Sequence, residues 1–365
     1  VRVLSYIAAT VTALGAIALP AQAQYTEANT GFSLQGTFSA MAAASTEYEE
    51  APRDGSIADG GFRVMLYPTW KLSEHWMFYG AYQVASRPYY FSEFETQGHG
   101  VRGNLAQGYL NYSQVWQDAS LQVRAGQLTS AFGAFPLHYD DHDNFMVDLP
   151  LQYGYYGALA TLSGLTGAEA DATWKKLDGR AQFTNSSPAN PRSVFQSEQY
   201  GNWAGGGGFT IRQGLRVGVS GYRGPYLSRN YTFYKPVEGR PRNAPGSAVG
   251  IDAEWGRGHW TVRGELQRFV MHYEPRPTFH EHTGYVEAER SLSARWYVAG
   301  RFGYISADFS GHGQEMEAVA GYRPGPGQII KLSYETVHSE TRDLPNRTLA
   351  VQFVTSFHPL SFAGH

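Results

Sequence analysis

The 365-residue chain contains no cysteine, which excludes a disulfide framework and a thiolate metal centre. Only 17% of its residues are charged, glycine (42) and tyrosine (25) are abundant, and its slightly negative mean hydropathy excludes a bundle of membrane helices. A net charge of −3 leaves no basic footprint for nucleic acid.

The N-terminus reads as an export signal. Arg2 is a short positive region, Val3 to Leu19 form an apolar stretch ended by Pro20, and Ala21-Gln22-Ala23 is a small-x-small cleavage site. Residues 1–23 are therefore expected to be removed and 24–365 to form the mature chain. No later run approaches eighteen apolar residues, so the mature chain offers no helical span.

From there the pattern has a period of two, the mark of strands with two unlike faces. Phe32 to Ala42 places Phe32, Leu34, Gly36, Phe38 and Ala40 on one face and Ser33, Gln35, Thr37 and Ser39 on the other. Phe62 to Leu72 and Trp76 to Val84 follow, separated by Ser73-Glu74-His75. Further short turns are expected at Gln117-Asp118, Lys176 to Gly179, Gln213-Gly214, Gly256 to Gly258, Ser291 to Ser293 and Pro324 to Gly327. Long connections are expected at 45–60, 87–102, 129–155, 187–201, 224–246, 272–282, 307–313 and 339–346. About sixteen strands result, an all-β chain with long and short connections in strict alternation. A transmembrane antiparallel β-barrel has this plan, with long extracellular loops and short periplasmic turns. Trp70, Trp76, Trp116, Trp174, Trp255, Trp260 and Trp296 all fall near short turns, where a girdle of amphipathic rings suits a membrane–water interface. A soluble secreted β-sandwich, the competing fold, has no reason to gather long loops at one end.

Two segments carry a resemblance. Leu349, Val351, Phe353, Thr355 and Phe357 alternate and close on an aromatic, and this is similar to the terminal strand of bacterial outer-membrane proteins. Val123-Arg124-Ala125-Gly126-Gln127-Leu128, followed by Phe132-Gly133, resembles the strand-five segment of sixteen-stranded porins, including the phosphate-selective group. The resemblance implies an outer-membrane location among lipids and lipopolysaccharide, Phe357 as the signal read by the barrel-insertion machinery, and trimers. It also implies a water-filled channel for passive diffusion of small hydrophilic solutes and ions, without enzymatic chemistry and without a cofactor. The tail His358 to His365 departs from the family pattern, which makes Phe362 the rival closing aromatic.

The parity that points apolar residues at lipid sorts the charges onto the other face. A basic side chain on the lipid face near the midplane costs about 2–4 kcal/mol, so the expected pore-lining cations are Arg63, Arg124, Arg180, Arg216, Arg263 and Arg301. The expected pore-lining acids are Asp252, Glu254, Glu265, Glu287, Glu289, Glu315, Glu317 and Glu335, with Asp171 in a weaker strand. Acids crowd residues 249–335 while cations mark the first half. Two outcomes stay open, a transverse field between opposed staves or locally paired ions.

Connection 129–155 is the expected constriction loop, carrying Asp140, Asp141, Asp143 and Asp148 among aromatic residues. It reads as an acidic constriction facing Arg63, Arg124 and Arg180, as a divalent-cation site, or as a solvated turn. Loop 224–246, with Arg229, Lys235, Arg240 and Arg242, offers cations to anions at the outer mouth or to lipopolysaccharide, or is an ordinary loop. There is no G-x-S-x-G elbow, no H-E-x-x-H pair and no phosphate-binding loop, and His280-Glu281-His282 is weak as a metal motif. The alternatives to a general porin are a phosphate- or carboxylate-selective transporter and a plugged barrel with an enzymatic or structural task.

Overall fold

The computed structural model describes residues 30–46, 58–87, 89, 100–134, 140–154, 164–185, 201–225, 245–271, 278–308, 311–340 and 346–363. The expected signal peptide and most of loop 224–246 lie outside the described residues.

Sixteen strands form one closed antiparallel barrel in which each strand pairs with its neighbours in sequence and the first pairs with the last. The strands are β1 (Gly31–Ser45), β2 (Ala58–Lys71), β3 (Trp76–Arg87), β4 (Gly100–Val115), β5 (Ala119–Leu128), β6 (Leu165–Trp174), β7 (Leu177–Thr184) and β8 (Asn202–Arg212). They continue as β9 (Leu215–Pro225), β10 (Pro245–Arg257), β11 (Trp260–Met271), β12 (Phe279–Ser291), β13 (Trp296–Ala307), β14 (Gly311–Tyr322), β15 (Gln328–Ser339) and β16 (Asn346–Ala363). A four-residue helix, α1 (Leu151–Gly154), lies in the connection after β5.

Alternation dictates this form. In β13 and β14 burial switches at nearly every residue, and the buried set holds the charges Arg301, Glu315 and Glu317 beside Tyr297, Ile305 and Val319. The exposed set is apolar, with Leu266 60%, Ile251 54% and Met316 53% exposed. This inverts a soluble β-protein, whose apolar face is the one withdrawn from solvent. Closure removes every strand edge, so each strand has a ladder partner on both sides.

Short turns join the strands at one end. Gly214 and Gly258 hold left-handed φ values of 77° and 63° there, a conformation that costs glycine nothing. Lys175 takes the same region at 55°, and the β6–β7 turn is Lys175-Lys176, tighter and earlier than the expected Lys176 to Gly179. Asp178 and Arg180 pair across to β6 and β8 instead of turning. The expected long connection at 307–313 is another correction: β13 ends at Ala307 and β14 begins at Gly311. Polar, glycine-containing sequence there reads as loop, but its residues extend the ladder, with Ser306 opposite His312.

The C-terminal tail is strand. β16 continues past Phe357 to Ala363, with Phe362 opposite Phe32, after a register shift between Leu34 and Gly36. Gly36 lies opposite Phe357, and a side chain at that glycine would collide with the Phe357 ring.

Candidate functional site: the lumen and its inner loop

The described residues of the connection after β5, 129–134 and 140–154, touch strands on opposite sides of the barrel. Arg180 and Gln182 of β7 donate to the carbonyls of Gly133 and Thr129, at 2.8 and 2.7 Å, and Gly133 N donates to Ser220 Oγ of β9 at 3.3 Å. Further along, the segment meets β11, β13, β14, β15 and β2. A segment that contacts opposite walls of a closed barrel lies inside it.

The seat is built from the strands richest in acid. Glu265 of β11 accepts Ala134 N at 3.1 Å and Tyr153 Oη at 2.5 Å. Glu317 accepts Val147 N at 3.0 Å, and Glu315 accepts Leu151 N at 2.7 Å. Carboxylates therefore satisfy backbone amides that an irregular segment cannot pair with its own carbonyls. Cations complete the seat. Arg301 donates to Asp148 O at 3.0 Å and to Asn144 Oδ1 at 3.4 Å. Lys331, wholly buried, donates to the carbonyls of Asp141, Asn144 and Met146 at 2.6, 2.9 and 3.0 Å. Arg63 clamps Asp141 with two bonds of 2.8 and 3.1 Å, and Tyr89 adds a third at 2.6 Å.

Apolar contacts fill the space beneath. Phe145 lies under the Arg263 guanidinium, 4.2 Å from its ring centroid. Met146 packs with Tyr297, Val319 and Val354, while Leu149 and Tyr153 pack with Met65 and Tyr285. Gly133 is needed at φ 82°, since a side chain there would strike Tyr153 and Glu265.

The four loop aspartates part company. Asp141 is buried against Arg63, Asp140 accepts from Tyr67, and Asp143 faces His142 at 3.4 Å. That contact holds the His142 imidazolium above its usual range. Burial, with Glu317 and Glu315 close by, pushes the Asp148 carboxyl up to about 8. Arg124 and Arg180 do not face the aspartate run: Arg124 pairs with Glu169 at 2.8 Å and Asp171 at 2.9 Å. Their place is taken by Lys331, Tyr67 and Tyr89, which residue-type reasoning passed over. Only Lys331 carried a signal, as a lone cation on the inward parity of β15 between Ile329 and Ser333.

Several other charges on the wall are paired locally. Arg301 meets Glu287 at 2.8 Å, Glu317 at 3.3 Å and Glu315 at 3.4 Å, and Arg263 also meets Glu287. Arg216 meets Asp178 and Asp252, both at 2.6 Å, and Arg323 reaches Glu289 at 3.5 Å. Glu335 is buried opposite Glu317, while Glu254 is exposed opposite Arg216 and Arg263.

The two halves of the wall differ in access. Side chains of Arg301, Glu287, Glu315 and Glu317 are 0–1% exposed, whereas those of Arg124, Asp171, Arg216 and Asp178 are 26%, 26%, 31% and 34% exposed. Beside Arg124, the half-buried Tyr67, Tyr79 and Tyr109 form a continuous aromatic strip, with centroids 6.4 and 5.2 Å apart. The inner loop thus covers the β11–β15 wall and the Arg63 position of β2, and leaves the charged side chains Arg124, Asp171, Asp178 and Arg216 of β5, β6, β7 and β9 open.

A closed ring of sixteen antiparallel strands has solved counterparts. OprB of Pseudomonas putida superposes with a TM-score of 0.63 at 12% identity, covering 90% of this chain and 94% of that one. The fold is that of the sixteen-stranded outer-membrane porins. OmpF of Salmonella typhi gives 0.62 at 10% identity over 92% and 100% of the two chains. An anion-selective porin from Comamonas acidovorans gives 0.60 at 8% identity over 90% and 100%. No protein-family profile and no curated protein sequence matches the chain. The porin fold is therefore carried here by a sequence whose identity to these structures is near one residue in ten.

Proposed function

We propose that the protein is an outer-membrane porin, a passive water-filled channel for small hydrophilic solutes and ions, narrowed by the inner loop. The observation that carries this reading is the asymmetry of the lumen. The loop is bound to the acidic β11–β15 wall and to Arg63, and Arg124, Asp171, Asp178 and Arg216 on β5–β9 remain open to water. Solutes pass along that open side, and no step of chemistry is required of the wall. Arg124 and Arg216 are each matched by two carboxylates. Such compensation supports weak ion preference over the uncompensated cationic ladder that phosphate or carboxylate selection needs.

The test is a planar-bilayer recording of the refolded full chain under a salt gradient. Stepwise currents with a small reversal potential are expected; a folded, inserted protein that passes no current would overturn the reading. Arg216→Ala leaves Asp178 and Asp252 without their cation on the open wall, so its reversal potential moves toward cation preference.

Two further outcomes follow from the same reading. Leu266→Arg places a charge on the lipid face and lowers barrel stability by about 2–4 kcal/mol, read from a urea titration of the folded protein in vesicles. A second outcome concerns pH. Asp148 takes up a proton on docking, because its carboxyl rises from 3.8 to about 8. Its contribution to the seat is complete below the lower value and is lost as pH climbs through the upper one. Current flicker from loop motion should therefore grow on raising the pH through this window, and Asp148→Asn should remove much of that growth.

A further inference from the structure

The outward face of β7–β12 is concave. A groove of about 930 Å³ lies across these strands. One register row runs Gly207, Val219, Ile251, Leu266, and the next runs Phe209, Val217, Ala253, Gly264, Val286. Gly207, Ala253 and Gly264 leave the floor bare between larger neighbours, and Trp255 and Leu177 line its lower end. The lining is open in the single chain, with Val219 61% and Leu266 60% exposed.

The rim below this groove is cationic. Lys175 and Lys176 form the β6–β7 turn, Arg212 and Arg257 enter the next two short turns, and Arg290 and Arg295 flank the fourth. These turns contain no Asp or Glu, whereas the preceding short turns hold Glu74 and Asp118, the latter beside Lys175 at the edge of the rim. All six cations are exposed, and among the described residues none is in an ion pair. Lys175 and Arg290 lie instead over the outward rings of Trp174 and Trp260, 5.4 and 5.2 Å from their centroids. Thr210 N donates to Lys176 O at 2.8 Å and Gly256 N to Gly214 O at 2.7 Å, which places Lys176, Arg212 and Arg257 along one continuous edge. On the strands that end at Lys176, Arg212 and Arg257, the carboxylates Asp178 and Glu254 belong to the inward parity.

We propose that groove and rim together bind an anionic glycerophospholipid of the periplasmic leaflet, with an acyl chain in the groove and the phosphate at Lys176, Arg212 and Arg257. This rests on the porin reading, which puts the short turns on the periplasmic side. The charge distribution selects the occupant. A second copy docking by the same face would bring two cationic rims together, whereas an anionic headgroup neutralises the rim. Lipopolysaccharide belongs to the leaflet at the opposite end of the strands.

Trp255 supplies the readout, because it lines the groove. The full chain is refolded into phosphatidylcholine vesicles containing phosphatidylglycerol, with one lipid or the other carrying brominated acyl chains. The Trp255 signal is the difference between the parent and Trp255→Phe. Brominated phosphatidylglycerol should quench it about fivefold more per mole than brominated phosphatidylcholine at low salt. The preference should vanish in Lys176→Glu/Arg212→Glu/Arg257→Glu, and Ala253→Phe should reduce quenching by filling the groove. Equal quenching by both lipids, in a preparation that conducts, overturns the lipid site and leaves the porin reading intact. Protection from both lipids in a conducting preparation overturns it in favour of a second copy on this face. A preparation that inserts without conducting sinks the porin reading, and the phospholipid assignment falls with it.

Discussion

Arg301→Ala should release the inner loop from its wall and cost about 3–5 kcal/mol, the range for removing one partner of a buried ion pair. Arg301 is the only cation within ion-pairing distance of Glu315 and Glu317 among the described residues, and it shares Glu287 with Arg263. It also holds the loop directly, through Asp148 O and Asn144 Oδ1. Without it, three carboxylates at near-zero exposure lose their shared counter-charge while Val147 N and Leu151 N still depend on two of them. Water must then enter beneath the loop, and entry requires the loop to lift. The expected observations are a larger and noisier single-channel current and a lower midpoint for heat-induced loss of the folded form. Glu317→Gln in the Arg301→Ala background should recover part of the stability by removing one uncompensated charge. An unchanged current in a variant of lowered stability would show that Arg301 supports the wall alone.

Lys331→Met should have the second-largest effect, concentrated on the loop apex. Its ammonium is wholly buried and meets three carbonyls of residues 141–146. A buried acceptor left without a donor costs about 1–3 kcal/mol, and methionine fills the volume of the lysine stem without donating. The apex then depends on the Arg63–Asp141 clamp. Lys331→Met is expected to raise conductance and to speed hydrogen exchange at Asn144 and Met146, while Ala134, held by Glu265, keeps the parent rate. Uniform acceleration across the segment would mean that the loop moves as one body and that Lys331 is not a separate anchor.

These two anchors also mark the division between sequence and tertiary structure. The barrel was legible because it follows from a local rule. Alternation at period two assigns a face to every residue, closure follows when every strand has two neighbours, and the sixteen strands counted from turns and hydropathy are the strands of the fold. Arg301, Glu315 and Glu317 fall on the inward parity for the same reason. Parity also explains the errors at Lys176 to Gly179 and at 307–313, where small polar residues continue a ladder that their composition alone does not announce.

What parity cannot supply is a distance across the ring. The acidic excess in residues 249–335 was visible, yet its partner was not the arginines of the first half but the backbone amides of the inner loop, joined to local cations such as Arg301. That assignment depends on strands more than a hundred residues apart along the chain meeting one irregular segment, as Glu265 meets Ala134 and Lys331 meets Asp141. Lys331 looked like any lone charge until the loop arrived above it, because the same side chain serves equally well in a wet lumen. The sequence by itself determined which face each residue takes and how many strands close the ring, since both are set by neighbours one or two positions away. Only the tertiary structure decided which half of the wall the loop covers, because that choice is made by pairing charges and buried amides across the lumen.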